Sequence, residues 1–355
     1  MKRRNLFIYL LLILTFGSVS FGQDNYYPVL KNELWGFMDY SGNLAIQPLS
    51  LQTANFSDGF AYIKKGKIVH DLTESRIFFL EKGFINTNGK FRGISDSILR
   101  YDDAGPFCDG RARVRLPGRG IFSNTKWGFI DTNMQQVVKP QFTEVGNFSE
   151  GLAWVEEKIT FLFIVISDTY GYIDRNGKMV IESKFQSAGN FFDGLANITL
   201  NGKKGFINIK GEIVINPRFE TVGFFSHSLA PVRLNDKWGF VNSKDSIAIP
   251  IIFDQALSFS EGLALVKQGN KWGFIDTTGK MIISPRFTDV SNFAEGLAPA
   301  FDNDRWGYID ATGTFVIPPK YDYAFGFHND RAMVKVDDKF GYINRKDEFV
   351  WEPTN

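Results

Sequence analysis

Cysteine occurs once and histidine three times in the 355 residues of this chain. With Cys108 alone, no internal disulfide can form. It sits in Phe107-Cys108-Asp109-Gly110, where other segments read Phe148-Ser149-Glu150-Gly151 and Phe259-Ser260-Glu261-Gly262, so it fills a small-residue slot. Nothing in the pattern places a base beside it for nucleophilic work. His70, His227 and His328 are not gathered as metal ligands by the repeat described below, because His227 and His328 fall in different slots of it. The formal charge of +1 removes any global field toward nucleic acid or an anionic membrane. The apolar run Ile159 to Ile166 has the length of a buried strand and is far too short for a membrane span. A glycine-rich phosphate loop between strand and helix is missing, as is a nucleophile elbow, so no cofactor is expected.

What the chain has in excess is phenylalanine, at 36 residues, within an otherwise ordinary balance of 44% hydrophobic and 22% charged residues. That balance suffices for a core. The first residues have the three parts of a secretory signal. Lys2, Arg3 and Arg4 are basic, Leu6 to Phe16 is apolar, and Ser20 and Gly22 precede an expected cut ahead of Gln23. The expectation is therefore a signal peptide over 1–22 and an exported product, periplasmic or extracellular, with no membrane span in the mature chain.

Nine short aromatic-glycine segments run through the remainder, centred on Gly36, Gly83, Gly128, Gly171, Gly205, Gly239, Gly273, Gly307 and Gly341. From Gly171 onward each is 34 residues from the next. A constant period marks one supersecondary unit stacked many times. The copy Phe259 to Phe287 shows the unit. Gly262-Leu263-Ala264-Leu265-Val266 opens a strand, Lys271 to Asp276 forms a second, and Lys280 to Ser284 a third, stopped by Pro285. Trp272 and Phe274 are two apart and share a strand face. Asp276 and Gly279 frame the turn between the last two strands, with Gly279 in the left-handed conformation of a type I turn and G1 bulge. Asp245 and Asp347 replace that glycine in two copies, and Met134 is the one poor fit. Helical repeats of the same period need two runs of about 12 residues with three-and-four spacing, which the Gly, Asp and Pro interruptions forbid.

The linked motif Lys-Trp-Gly-Phe-Ile-Asp, Val-Ile-x-Pro-x-Phe and Phe-x-Glu-Gly-Leu-Ala resembles the bacterial WG repeat, or KWG repeat, family. The naming pair stands at Trp35-Gly36, Trp127-Gly128, Trp238-Gly239, Trp272-Gly273 and Trp306-Gly307, while Lys82, Tyr170, Lys204 and Phe340 replace tryptophan elsewhere. The resemblance implies extracytoplasmic or interaction roles and no shared catalytic residue. The expected fold is all-β: a tandem array of three-stranded antiparallel meander repeats in an open, solenoid-like form, with a closed propeller-like toroid as the alternative. Residues 23–170 hold repeats 1–3 and residues 171–355 hold repeats 4–9, the last ending near Pro353 with no separate C-terminal domain expected.

The first three copies are longer than the rest. From the glycine of Gly-Leu-Ala to that of Trp-Gly the distance is 11 residues in late copies, but 24, 18 and 20 in the first three. One hairpin is thus enlarged three times running, and insertions on one face of a repeat array commonly serve binding. Arg111, Arg113 and Arg115 alternate on the middle hairpin, followed by Arg119, with Lys64, Lys65 and Lys67 on the preceding one. Such a basic edge suits a protein surface or an anionic glycan. The aspartates Asp39, Asp131, Asp174, Asp276 and Asp310 alternate with Asn86, Asn208, Asn242 and Asn344 in the same slot, which points to turn formation and not to calcium. The tryptophans point to packing. The expected function is an exported, non-enzymatic scaffold binding protein or glycan, with an envelope glycan hydrolase and a structural spacer as alternatives.

Overall fold

A computed structural model describes residues 25–70, 75–94, 101–118, 125–161 and 164–354. The expected signal peptide over 1–22 and Arg119 lie outside these residues. Among the described residues the chain forms nine antiparallel sheets; seven have four strands and two have three. The copy around Gly273 is representative, with strands Gln255–Ala256, Leu263–Gln268, Lys271–Asp276 and Met281–Phe287 paired in that order. Ala256 lies opposite Val266, Val266 opposite Gly273, and Trp272 opposite Phe287.

The expected unit of three strands is corrected to four. The additional strand is only two residues long in this copy, too short to display the alternation by which strands are recognised in sequence. The open-solenoid expectation rested on the three-strand count. A four-stranded meander in sequential order is the topology of a propeller blade, the stated alternative. Of the apolar run Ile159 to Ile166, the described residues belong to strands, Leu152–Phe161 and Ile164–Asp174, and residues 162–163 lie outside the described residues.

Two compact units divide the chain. One comprises the described residues up to Glu156 with Asp174–Lys178, the other Glu157–Ile173 with Met179–Thr354. In the second unit each sheet sets large side chains against small ones of its successor. Phe240, Ile249 and Phe253 pack on Ala256, Phe259, Ala264 and Val266. Phe274, Ile283 and Phe287 repeat this on Val290, Phe293, Ala298 and Ala300. Edge-on ring pairs recur at the same joint, Phe206–Phe225 at 4.8 Å, Phe274–Phe293 at 4.8 Å and Tyr308–Phe327 at 4.9 Å. Each buried phenylalanine contributes roughly 2–3 kcal/mol by area and each ring pair about 1 kcal/mol more. The surplus of phenylalanine is spent here.

The glycine of every Trp-Gly pair has a steric cause. A methyl group built on Gly36, Gly83, Gly128, Gly171, Gly205, Gly239, Gly273, Gly307 or Gly341 would come closer than 3.0 Å to a backbone carbonyl oxygen of the next strand. For Gly273 that oxygen belongs to Ile283, within the stretch where the register shifts between Trp272 and Phe274. The bulge presses the fourth strand onto the third, and only hydrogen fits between them.

The turn chemistry matches expectation. Asp276 Oδ1 accepts the N–H groups of Thr278 and Lys280 at 2.9 and 3.0 Å, and Gly279 takes φ 86°. Asp245 and Asp347 adopt φ 61° and 67° in the same slot. Met134, the poor fit, also takes a positive φ of 63°, and its side chain is buried in the cluster holding Phe84, Tyr101 and Val114. Burial there offsets the roughly 1 kcal/mol cost of a left-handed non-glycine residue.

A chain of side-chain hydrogen bonds also links successive loops. Asp58 Oδ2 accepts from Gly110 N–H at 2.7 Å and Asp109 Oδ2 from Gly151 N–H at 2.8 Å in the first unit. In the second, Glu261 accepts from Glu295 and Gly296 at 2.5 and 2.8 Å, and Glu295 from Asp330 at 2.9 Å. His227 takes this role through Nε2, 3.1 Å from Gly262 N–H, with Nδ1 2.9 Å from Ser226 Oγ.

Two outcomes are expected from urea unfolding. Gly273→Ala destabilises by about 3 kcal/mol or more, because the backbone itself must move; a loss under about 1 kcal/mol contradicts the steric account. His227→Glu restores the carboxylate of the neighbouring loops and stabilises by about 0.5–1 kcal/mol, since a charged acceptor outperforms a neutral one. Unchanged or reduced stability counts against that reading.

Candidate functional site

The first enlarged hairpin extends the ladder, whereas the middle one keeps six-residue strands, Arg111–Leu116 and Lys126–Asp131. Phe60–His70 and Ser75–Asn86 are 11 and 12 residues long, against 6 for Leu263–Gln268 and Lys271–Asp276, and remain paired out to His70 opposite Ser75. Near the base of this extension and on the following sheet, the expected basic residues sit among carboxylates. Lys64 Nζ lies 3.5 Å from Asp103, and Tyr62 donates its hydroxyl proton to the same carboxylate at 2.9 Å. Arg115 forks onto Asp102, Nε to Oδ1 at 2.9 Å and Nη2 to Oδ2 at 3.2 Å, and lies 3.8 Å from Asp103. Lys82, which stands in a tryptophan slot, donates to the Asp102 carbonyl at 2.7 Å.

The remaining arginines turn inward or sideways. Arg113 donates to the Val145 carbonyl at 3.2 Å and lies over the Trp127 ring at 5.3 Å, while its buried Nε has no partner. Arg111 donates to the carbonyl oxygens of Arg175 and Gly110 at 3.1 and 3.0 Å. The three guanidiniums share one strand face, as period two requires, and that face also carries Trp127 through the pairing of Arg115 with Trp127. It is a part-buried, packed face on which Arg115 is ion-paired and Arg111 and Arg113 donate to backbone carbonyls. Lys65 is 3.3 Å from Glu81 and lies over the Phe91 ring at 3.6 Å, whereas Lys67 is exposed. Phe79 and Leu80, at 38% and 67% exposure, flank the lysines on the opposing strand.

Charge pairing governs ionisation in this cluster. Burial opposes charge on Asp103, but the Lys64 ammonium, the Tyr62 hydroxyl, a backbone N–H and Arg115 outweigh it and hold the carboxyl below its ordinary range. Burial, followed by the charge of Asp103, pushes the Tyr62 phenol well up. A carboxylate held down in this way is a poor proton donor. Burial, with Asp58 and Asp109 nearby, pushes the Cys108 thiol up to about 12, which leaves it a thiol and a weak nucleophile near neutral pH.

The structural glycines and tryptophans behave as packing elements. Trp35 and Trp306 are buried, and Trp238 and Trp272 pack partly covered against the sheet cores. Asp39, Asp131, Asp174 and Asp310 each spend Oδ1 on two backbone N–H groups of their own turn. Asp102, Asp103 and Tyr62 were not foreseen as partners of the basic residues. One signal was present: Tyr101-Asp102-Asp103 precedes the arginine strand, and Asp103 pairs directly across from Arg115.

A family model described as a WG containing repeat matches residues 35–67, 127–158, 170–203, 205–238, 238–272, 272–306 and 306–340. The chain belongs to the WG repeat family. The copies centred on Gly83 and Gly341 fall outside the matched segments. No curated protein matches the chain in sequence. Among solved structures, apo AztD from Citrobacter koseri is 13% identical with a TM-score of 0.40, covering 81% of this chain and 91% of its own. Dihydro-heme d1 dehydrogenase NirN in complex with DHE is 14% identical with a TM-score of 0.46, covering 93% of this chain and 73% of its own. At such scores neither carries an argument about this chain. Among the described residues no helix is long and apolar enough to cross a membrane.

Asp103 gives the site a pH signature. Its folded pKa lies below the unfolded value, so its contribution is complete above about pH 4 and is lost as pH falls through the lower folded value. Asp103→Asn is expected to cost about 1–2 kcal/mol at neutral pH and to flatten the acid limb of the stability profile. Parallel profiles for the two proteins would contradict this assignment.

Proposed function

We propose that the chain is an exported, non-catalytic scaffold of propeller-type blades, and that its enlarged hairpin at Phe60–Asn86 engages the surface of another protein or an anionic glycan. The supporting observation is that this hairpin is lengthened beyond the strands of the regular copies and exposes Lys67, Phe79 and Leu80. Exposed apolar side chains beside the exposed Lys67 form a patch suited to an acidic surface with some apolar character. In this reading Lys64, Lys65 and Lys67 supply the cationic face. Arg115, ion-paired with Asp102, and Arg111 and Arg113, which donate to backbone carbonyls, hold the following sheet in place, while Arg119 lies outside the described residues. Export rests on the basic, apolar and small-residue succession over 1–22.

The discriminating experiment shortens the hairpin without disturbing its base. Replacing residues 66–80 by Asn-Gly closes the ladder at Lys65 opposite Glu81 with a two-residue turn. Affinity capture from an envelope extract should then lose, by tenfold or more, the components retained by the intact chain, while Lys67→Glu/Leu80→Glu loses the same set. Equal recovery with all three proteins would favour the spacer and refute the binding role of this edge.

A further inference from the structure

The second unit contains a cavity of about 410 Å³ beside Trp238, at the turn between the strands Leu229–Leu234 and Lys237–Asn242. Its floor is the indole, its wall is Ala256 and Leu257, and its rim is Arg233, Asp236, Asp254 and Gln255. The copy centred on Gly307 has the same place in its fold, 68 residues later, and there the place is full. Trp306 is 5% exposed and is covered by Phe301 at 5.6 Å and Tyr323 at 5.2 Å, with Phe325 against Tyr323 at 4.9 Å.

Position by position, the two copies keep Trp238 and Trp306, Asp236 and Asp304, Asp254 and Asp322, Ala256 and Ala324. Among the seven residues lining the cavity they differ at three, where Phe301, Tyr323 and Phe325 become Arg233, Gln255 and Leu257. The backbone and the indole are retained while the rings that cover the indole are removed. Leu257 is left 44% exposed, and Ile252 on the same stretch 56% exposed. Apolar surface uncovered in one copy and sealed by aromatic rings in another has a defined shape for what can seal it.

Rim electrostatics narrow the occupant. Asp254 is held by Lys237 Nζ at 2.6 Å and by Gly269 N–H at 2.6 Å, one bond to each oxygen. Arg233 is paired with Asp236 and lies 3.7 Å from Glu220. The charged groups are therefore neutralised by one another. With its charges paired off, the slot offers chiefly the indole and an aliphatic wall, which is what an uncharged aromatic ring needs.

We propose that this slot is a docking site for a single aromatic side chain, tyrosine or phenylalanine, carried on an extended peptide segment of a partner protein. The ring takes the place that Tyr323 fills in the Gly307 copy, stacked against Trp238 and bordered by Leu257. This site is independent of the enlarged hairpin and does not rest on the role proposed for it.

The test uses the full chain labelled with ¹⁵N-tryptophan, with the Trp238 indole resonance assigned through Trp238→Phe. A capped Gly-Ser-Tyr-Ser-Gly peptide titrated to millimolar concentration is expected to shift that resonance saturably, and the Gly-Ser-Ala-Ser-Gly counterpart is not. Gln255→Tyr/Leu257→Phe, which copies the filled slot, should keep the fold and weaken the interaction tenfold or more. Leu257→Phe alone should weaken it in the same direction, which preserves the test if the double variant does not fold. No shift with the tyrosine peptide, equal shifts with both peptides, or undiminished binding by Leu257→Phe would overturn the proposal. So would a saturable shift with methyl β-glucopyranoside alone, which would assign the slot to carbohydrate.

Discussion

The fold depends on one close approach, that of a bulged fourth strand to the glycine of the third. Every Trp-Gly glycine faces a carbonyl oxygen at a distance no β-carbon can occupy. That approach brings the fourth strand onto the third tightly enough for a thin, four-stranded sheet with two buried faces. Because both faces are covered, one side can present phenylalanine and isoleucine while the other presents alanine and valine, and consecutive sheets interlock large on small. The period, the glycine and the aromatic surplus are thus three expressions of one packing solution.

Much of this was legible before any coordinates, and the reasons are local. The turn of Asp276 and Gly279 announces itself because φ above zero restricts residue choice, and the strands announce themselves through alternation. The two-residue strand Gln255–Ala256 left no alternation to read, so the unit was counted one strand short. The basic face shows the opposite failure. Arg111, Arg113 and Arg115 were correctly placed on one face, but whether that face meets water or protein depends on what the preceding strand brings opposite. Asp103 across from Arg115, and Tyr62 from the sheet before, turn an apparent cationic stripe into a paired cluster. Charge periodicity reports geometry and is silent about neutralisation.

The comparison between copies of one repeat is itself a source of functional information. A position that holds tryptophan in several copies and lysine, tyrosine or phenylalanine in others has packing as the role its copies share, so a binding role there belongs to an individual copy and is read from that copy's surroundings. Conversely, where the residues framing a slot are kept and the rings that cover it are exchanged, as between Trp238 and Trp306, one copy exposes surface that the other seals. Likewise, a hairpin whose strands run to eleven and twelve residues where the regular copy has six marks one copy as different from the rest.

The loop-to-loop hydrogen bonds through Asp58, Asp109, Glu261 and Glu295 have a genetic corollary. Each module carries the acceptor for its successor and the donor for its predecessor, so both halves of the seam travel together when a segment is duplicated. An inserted copy is compatible with its new neighbours at once, and recombination within the coding sequence can lengthen or shorten the array by whole modules. His227 shows how far such a seam tolerates drift, since an imidazole has taken over from a carboxylate while the contact survives.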